Sequence, residues 1–181
     1  MQRRNSIIAI LMLLCVSACA TNDARNSSPS NSNASAQSTS EQSNSDRGNA
    51  VLQLEGGTVS VDYGRPALKG RDLEKLIEPG REWRMGSNAP TTLNTDIDLK
   101  FGNTTVPKGT YALKAKPTDP QNWLLLIQTP DNSTVAEIPL SFERVDNHSD
   151  LMTIELARKN NGGRFLLHWG NLTLSTEFQK A

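Results

Sequence analysis

The sequence is poor in the residues that most often carry chemistry. Among its 181 residues are two cysteines and two histidines, and aromatic residues make up only 5%. Basic and acidic residues balance at 19 each, so the formal net charge is zero. This balance argues against binding to nucleic acid or to an anionic membrane surface through a basic patch. After residue 50 the sequence has no internal repeat, low-complexity block or apolar run long enough to span a membrane.

Familiar catalytic and ligand-binding signatures are also missing. His148 and His168 lack the neighbour spacing of a zinc site. No serine lies in a G-x-S-x-G turn, and no glycine-rich phosphate loop follows a strand. Asp96 and Asp98 could act as the two carboxylates of a glycoside hydrolase, or they could form the solvated face of an exposed strand. The sequence therefore predicts no metal, no cofactor and no catalytic residue.

The N-terminal residues have the pattern of an export signal. Two arginines precede an apolar run over residues 7–16, which is too short to cross a bilayer but fits a signal peptide. The segment Val-Ser-Ala-Cys at residues 16–19 resembles the lipobox of bacterial lipoproteins. That resemblance implies cleavage after residue 18, with diacylglycerol on the thiol of Cys19 and an acyl group on its new amine. An ordinary secretory signal with an incidental cysteine is the alternative.

Export and lipidation would change what the mature chain can do. Cys15 would be removed with residues 1–18 and Cys19 would be consumed by lipid, which leaves no thiol for a disulfide, a nucleophile or a metal site. Removing the two N-terminal arginines leaves 17 basic against 19 acidic residues, a net charge of −2. Acyl chains such as palmitate would anchor the protein to a membrane. Ala20 resembles an outer-membrane sorting signal, so we expect the anchor to lie in the outer membrane. We expect the domain to face the periplasm.

Residues 19–49 are predicted to be the lipidated cysteine and a disordered tether. Residues 20–49 contain no aromatic residue and no Val, Ile, Leu or Met. A Ser/Asn-rich segment of this kind cannot bury enough apolar surface to fold, and it behaves as a flexible linker. It would either clear the lipid headgroups or give the following domain reach towards a partner.

Residues 50–181 have the length of one domain, and their apolar residues recur mostly at every second position. This period is typical of half-buried strands, and turn residues separate the runs. The clearest run covers residues 93–101, and a continuous apolar run over residues 122–129 suits a strand covered on both faces. A turn is predicted at Gly170-Asn171. About eight short strands favour an all-β fold of the β-sandwich type, with a small barrel as the less favoured alternative.

Residues 62–92 interrupt this strand rhythm. Connections of this length are usually functional or disordered, and several large apolar residues argue against disorder. A short helix is predicted over residues 72–77, with an aspartate cap and with Leu73, Leu76 and Ile77 facing inward. We therefore expect one long loop that packs on the sheet and carries a short helix.

The loop also contains an ordered series of motifs. These are Tyr63-x-Arg65-Pro66, Lys69-Gly70-Arg71, Pro79-Gly80, Trp83-Arg84-x-Gly86-x-Asn88 and Thr91-Thr92, followed by Pro107-x-Gly109-Thr110-Tyr111 and Trp123. In this order they resemble the bacterial family catalogued as domain of unknown function 2911, from about residue 50 to the C-terminus. The resemblance implies a secreted or lipid-anchored, β-rich protein. The family has no established activity, so the resemblance assigns no catalytic residues.

The candidate ligand-binding residues in this loop combine aromatic rings with cationic and amide groups. They are Tyr63, Arg65, Lys69, Arg71, Trp83, Arg84 and Asn88. Guanidinium groups pair with carboxylates or stack on aromatic faces, which suits an envelope glycan or a protein partner. Alternatively, these side chains only pin the loop to the sheet, or an enzyme processes envelope glycans or peptides through a nearby carboxylate such as Asp62 or Glu82. We predict a lipid-anchored cell-envelope protein of unknown activity. The sequence favours a non-enzymatic binding or assembly module over an enzyme.

Overall fold

Antiparallel strands make up most of the domain. The computed structural model of the protein describes residues 46–181, so the predicted signal peptide, Cys19 and the tether up to residue 45 lie outside the described residues. In chain order the elements are β1 (Arg47–Leu54), β2 (Gly57–Gly64), α1 (Leu73–Leu76), β3 (Thr91–Thr95), β4 (Leu99–Phe101), β5 (Thr104–Val106), β6 (Gly109–Pro117), β7 (Trp123–Gln128), β8 (Thr134–Lys159) and β9 (Gly162–Lys180). The predicted all-β fold is confirmed. The described residues include no helix that is long and apolar enough to cross a membrane.

The nine strands form one sheet in the order β1-β2-β3-β6-β7-β8-β9-β4-β5, and neighbouring strands are antiparallel. The sheet does not close into a barrel. Residues 134–140 of β8 pair with β7, whereas residues 141–159 pair with β9. Val59 from one half of the sheet and Phe165 and Phe178 from the other border the same small void. The two halves therefore face each other across a shared core.

The strands form because their apolar side chains alternate with polar ones. In β2, Val59, Val61 and Tyr63 are buried, and the residues between them are only half-buried. Burying a large aliphatic side chain stabilises a fold by about 1.5–3 kcal/mol relative to leaving it exposed. The core cluster of the described residues runs from Ala50 to Phe178. The domain therefore has its own core and should fold without the residues that precede it.

The predicted continuous strand over residues 93–101 is wrong. β3 ends before residue 96 and β4 begins after residue 98, because the chain here crosses from one half of the sheet to the other. The exposed side chains of Asp96 and Asp98 accept backbone N–H hydrogen bonds, from Thr58 at 3.0 Å and from Lys108 at 2.8 Å. These two carboxylates therefore fix the crossover to different segments of the chain.

The C-terminal half contains two long strands where several short ones were predicted. β8 has 26 residues and β9 has 19. The turn predicted at Gly170-Asn171 lies inside β9, where Gly170 has a φ of 60° and pairs with Ser149. The β8–β9 register shifts on both sides of this pair, between Arg144 and Thr153. The glycine therefore marks a bulge in a long strand rather than a hairpin turn.

The first strand begins inside the predicted tether, which corrects the boundary at residue 50. Residues 47–49 pair with β2, and Gly48 lies so close to the ring of Tyr63 that a side chain there would clash. Arg47 forms an ion pair with Asp62. Composition could not reveal that the strand begins here, because no apolar side chains hold the segment. Backbone pairing, a glycine contact and an ion pair hold it instead.

The long loop between β2 and β3 carries α1, as predicted. Asp72 caps the helix by accepting a hydrogen bond from the N–H of Glu74 at 3.0 Å. Leu73 packs against the core and Ile77 is buried, but Leu76 is 39% exposed, so the prediction that Leu76 faces inward is wrong. The helix is a single turn and Ile77 is already extended, so helical periodicity does not hold across all three positions.

Candidate functional site

Two of the predicted ligand-binding residues, one in β2 and one in the loop, form hydrogen bonds to β8. The hydroxyl group of Tyr63 donates a hydrogen bond to the carbonyl oxygen of Ile154 at 3.1 Å. The Nε atom of Arg65 donates to the carbonyl oxygen of Met152 at 3.4 Å. Tyr63 is only 4% exposed, so its ring serves the core and offers almost no surface to a ligand.

Trp83 anchors the far end of the loop. Its ring is half-buried and stacks on that of Trp169, with centroids 5.6 Å apart and planes 9° from parallel. The backbone of Trp83 pairs with Ala115 through two hydrogen bonds of 2.7 Å each. Side chain and backbone together therefore fix this part of the loop against β6 and β9.

Three further predicted residues lie at exposed turns of the loop. Lys69 and Asn88 have positive φ angles of 52° and 63°. The N–H of Lys69 donates to the carboxylate of Asp150 at 2.8 Å, and the guanidinium group of Arg84 donates to the backbone oxygen of Asn88 at 3.3 Å. These contacts shape the loop itself. Of the seven predicted residues, Arg71 alone borders a cavity of about 490 Å³.

The two acids that were predicted to serve an enzyme are partly exposed and ion-paired. Asp62 pairs with Arg47, Glu82 pairs with Lys114 at 2.8 Å, and each acidic side chain is 43% exposed. The hydrogen bond from Lys114 lowers the pKa of Glu82. A general acid would need a concave setting and a raised pKa. The geometry therefore argues against catalysis by either acid.

A cavity of about 490 Å³ lies beside α1. Residues 68–79 of the loop form one wall, and the β6–β7 connection, β8 and β9 form the others. Its apolar lining consists of Leu68, Leu73, Ile77, Pro79, Pro117, Pro120, Trp123, Phe142 and Leu172. This volume and a mostly apolar lining with a few polar groups are typical of small-molecule sites.

Aromatic and cationic side chains meet on the wall formed by β7 and β8. The rings of Trp123 and Phe142 are parallel to within 3°, with centroids 6.4 Å apart. The guanidinium carbon of Arg144 lies 5.9 Å from the centroid of Phe142, a favourable cation–π position. Arg144 also forms an ion pair with Glu74 of α1. This arginine therefore connects the helix to the sheet at the edge of the cavity.

Two other polar groups border the cavity. Nδ1 of His148 lies 3.0 Å from the side-chain oxygen of Asn171. The carboxylate of Asp119 accepts hydrogen bonds from the amide side chain of Asn122 at 2.7 Å and from the N–H groups of Gln121 and Asn122 at 2.9 Å each. These hydrogen bonds lower the pKa of Asp119, so it is ionised at neutral pH and stabilises the β6–β7 turn.

The indole N–H of Trp123 is buried and has no hydrogen-bond partner among residues 46–181. An unpaired buried donor costs about 1–3 kcal/mol. Trp123 also lines the cavity, but its indole nitrogen has almost no exposed surface, so this N–H is not open to a ligand there.

Sequence reasoning missed this cavity because its residues come from separate parts of the chain. One signal was nevertheless available. Ile138, Leu140 and Phe142 occupy successive inward positions of β8, and the next position of the same alternation is Arg144. The alternation therefore places Arg144 on the same side of β8 as this apolar face, although Arg144 itself is exposed.

The histidines and acids of residues 46–181 do not form a metal centre. No group of three His, Cys, Asp or Glu side chains in this part of the chain is placed to hold a metal ion. Nε2 of His168 lies 2.9 Å from the backbone oxygen of Asn147 and 3.1 Å from that of Gly170. His168 therefore helps to hold the β8–β9 bulge together.

These features define an all-β domain with a cavity of small-molecule size between its long loop and its sheet. The family described as "Protein of unknown function (DUF2911)" matches residues 45–178, which is most of the chain, and the protein belongs to this family. The family membership expected from the motifs is thereby confirmed. No curated protein and no solved structure matches the chain.

Proposed function

We propose that this protein is a lipid-anchored component of the cell envelope whose β domain binds a small ligand without transforming it. The ligand site is the cavity between residues 68–79 and strands β7 to β9. The cavity itself, about 490 Å³ with a mostly apolar lining, is the observation that carries the proposal. The long loop then takes part in binding through α1 and Arg71, and its other aromatic and cationic residues hold it in place.

The polar groups around the cavity support binding rather than catalysis. Asp119 holds a turn and has a lowered pKa, Glu74 is paired with Arg144, and His148 contacts Asn171. A general base works best when its pKa lies near the operating pH and it faces the substrate. Asp119 instead stabilises a turn in the cavity wall, which gives this part of the site a fixed shape and favours recognition.

Leu73→Trp should fill the cavity and abolish stabilisation by any ligand that binds there. Leu73 lines the cavity and is only partly exposed. Thermal unfolding of residues 20–181 would be measured with envelope sugars, muropeptides, acidic peptides and small carboxylates. A ligand that binds the native state raises the midpoint, because it adds about 2.7 kcal/mol to the free energy of unfolding at a hundredfold excess over Kd.

Leu76→Trp is the matched control, since Leu76 belongs to the same helix but is exposed and does not line the cavity. This variant should keep the full ligand-induced rise. A rise that survives in both variants would place the ligand elsewhere. Absence of any rise in the wild-type domain would favour an assembly role through protein contacts.

The lipid anchor rests on the export pattern of residues 1–19. Cys19→Ser should abolish incorporation of labelled palmitate, because the acceptor thiol and the cleavage site are lost together. Cys15→Ser makes the same chemical change four positions earlier, inside the apolar run, and should leave labelling intact. Palmitate incorporation that persists in Cys19→Ser would contradict the anchor.

A further inference from the structure

The carboxylates that line the cavity are engaged by the protein itself. Asp119 accepts three hydrogen bonds from its own turn. Asp72 accepts the N–H of Glu74, and Glu74 in turn pairs with Arg144. Few acceptor positions on the cavity wall therefore remain for a ligand.

The arginines, in contrast, keep donors that have no partner among the described residues. Arg71 uses Nε and one terminal nitrogen to bond the carbonyl oxygens of Leu68 and Ala67, at 2.9 Å and 2.7 Å, which leaves its other terminal nitrogen. Arg144 uses one terminal nitrogen for Glu74, and its side chain is 63% exposed. Arg71 and Arg144 both line the cavity, so its wall offers donors to a ligand that carries acceptors.

We propose that the cavity binds a monocarboxylate with an apolar body, either an acyl chain or an aromatic ring, and that Arg144 receives its carboxylate. This inference deepens the proposed function and rests on it. The apolar lining suits the body of such a ligand, and a guanidinium group presents paired N–H donors that match a carboxylate. Arg144 lies at the edge of the cavity, over the Phe142 ring, so the charged end stays near solvent.

The ligand carboxylate would compete with Glu74 for Arg144. The ion pair between Glu74 and Arg144 is exposed on both sides, with side-chain exposures of 68% and 63%, and such pairs are weak. A ligand held by the apolar lining can therefore displace Glu74. The two partners should then have opposite effects: loss of Arg144 weakens carboxylate binding, and loss of the charge on Glu74 strengthens it.

Calorimetric titration of residues 20–181 tests this with decanoate and naphthoate, each compared with its neutral amide. Wild type should bind at least one of the two carboxylates, about tenfold more tightly than the corresponding amide, as expected for hydrogen bonds to a charged group. Arg144→Gln should weaken the binding of the carboxylates about tenfold and leave the affinities for the amides unchanged. Glu74→Gln should bind the carboxylates about threefold more tightly. Binding of decanoate alone or naphthoate alone supports the proposal and identifies the apolar body.

Arg81→Gln and Glu78→Gln are matched controls, because these residues form an exposed ion pair of 3.4 Å in the same loop and do not line the cavity. Both should leave all four affinities unchanged. Equal affinities for carboxylate and amide, or equal weakening of both by Arg144→Gln, would overturn the carboxylate assignment while leaving a cavity that binds apolar ligands. If none of the four probes binds, the carboxylate proposal fails, and the Leu73→Trp screen decides separately whether another ligand occupies the cavity.

Discussion

Replacing Trp83 with alanine should lower the midpoint of thermal unfolding by roughly 10 °C, which corresponds to a loss of about 3 kcal/mol. The indole ring of Trp83 stacks on Trp169, which is only 4% exposed. The substitution removes the cover from one face of Trp169 and opens a void beneath the loop. Truncating a buried tryptophan costs about 3–5 kcal/mol of stability. Because Trp83 is partly exposed, we expect a loss at the lower end of this range.

Arg84→Ala is the control, since Arg84 is the next residue in the loop and is exposed. It should change the stability by no more than about 0.5 kcal/mol. Near-ultraviolet circular dichroism would report the loss of the stacked pair in Trp83→Ala directly. A Trp83→Ala protein with the wild-type midpoint but without ligand-induced stabilisation would support the hypothesis that Trp83 contacts the ligand.

The all-β class and the packed loop could be predicted because both depend on local pattern. Alternate burial in β2 and β6 follows from the two-residue period of an extended chain, whatever the partner strand is. The loop could be recognised because it lacks this period and yet contains large apolar residues, which need a surface to pack against.

Strand boundaries were less predictable because they depend on partners that are distant in the sequence. Alternate burial continues through residues 93–101 although the backbone changes from pairing with β2 and β6 to pairing with β5 and β9. Side-chain period therefore records which residues face the core but not which strand they pair with. The same limit applies to Gly170, whose positive φ serves a bulge within β9.

The candidate site was predicted from residues that are close in sequence, whereas the cavity collects residues from distant segments. Tyr63, Arg65 and Trp83 have chemistry that suits ligands, but the same groups satisfy backbone carbonyls and stack in the core. Composition cannot separate these two uses, because both need aromatic faces and N–H donors. The distinction required the positions of β8 and β9, which supply Arg144 and Leu172.

Gly64→Ala should destabilise the domain by about 3 kcal/mol, the upper part of the range for forcing extra atoms into packed structure. Gly64 ends β2 with its Cα facing the backbone of Ser87, and a Cβ there would overlap the carbonyl oxygen and lie 2.7 Å from the nitrogen of Ser87. Gly86 faces it from the loop, where a Cβ would lie 3.2 Å from the oxygen of Gly64. The two glycines let strand and loop backbones touch, so even a methyl group must push the loop away.

The size of this effect can be separated from the general cost of replacing a glycine. Gly102→Ala is the comparison, because a Cβ at Gly102 meets no atom within 4 Å and only its φ of 57° is unfavourable to alanine. That variant should lose about 1 kcal/mol. Urea unfolding of both proteins measures the difference directly from their midpoints. If Gly64→Ala were no less stable than Gly102→Ala, the loop would not be held against β2, and the wall it contributes to the cavity would not be fixed.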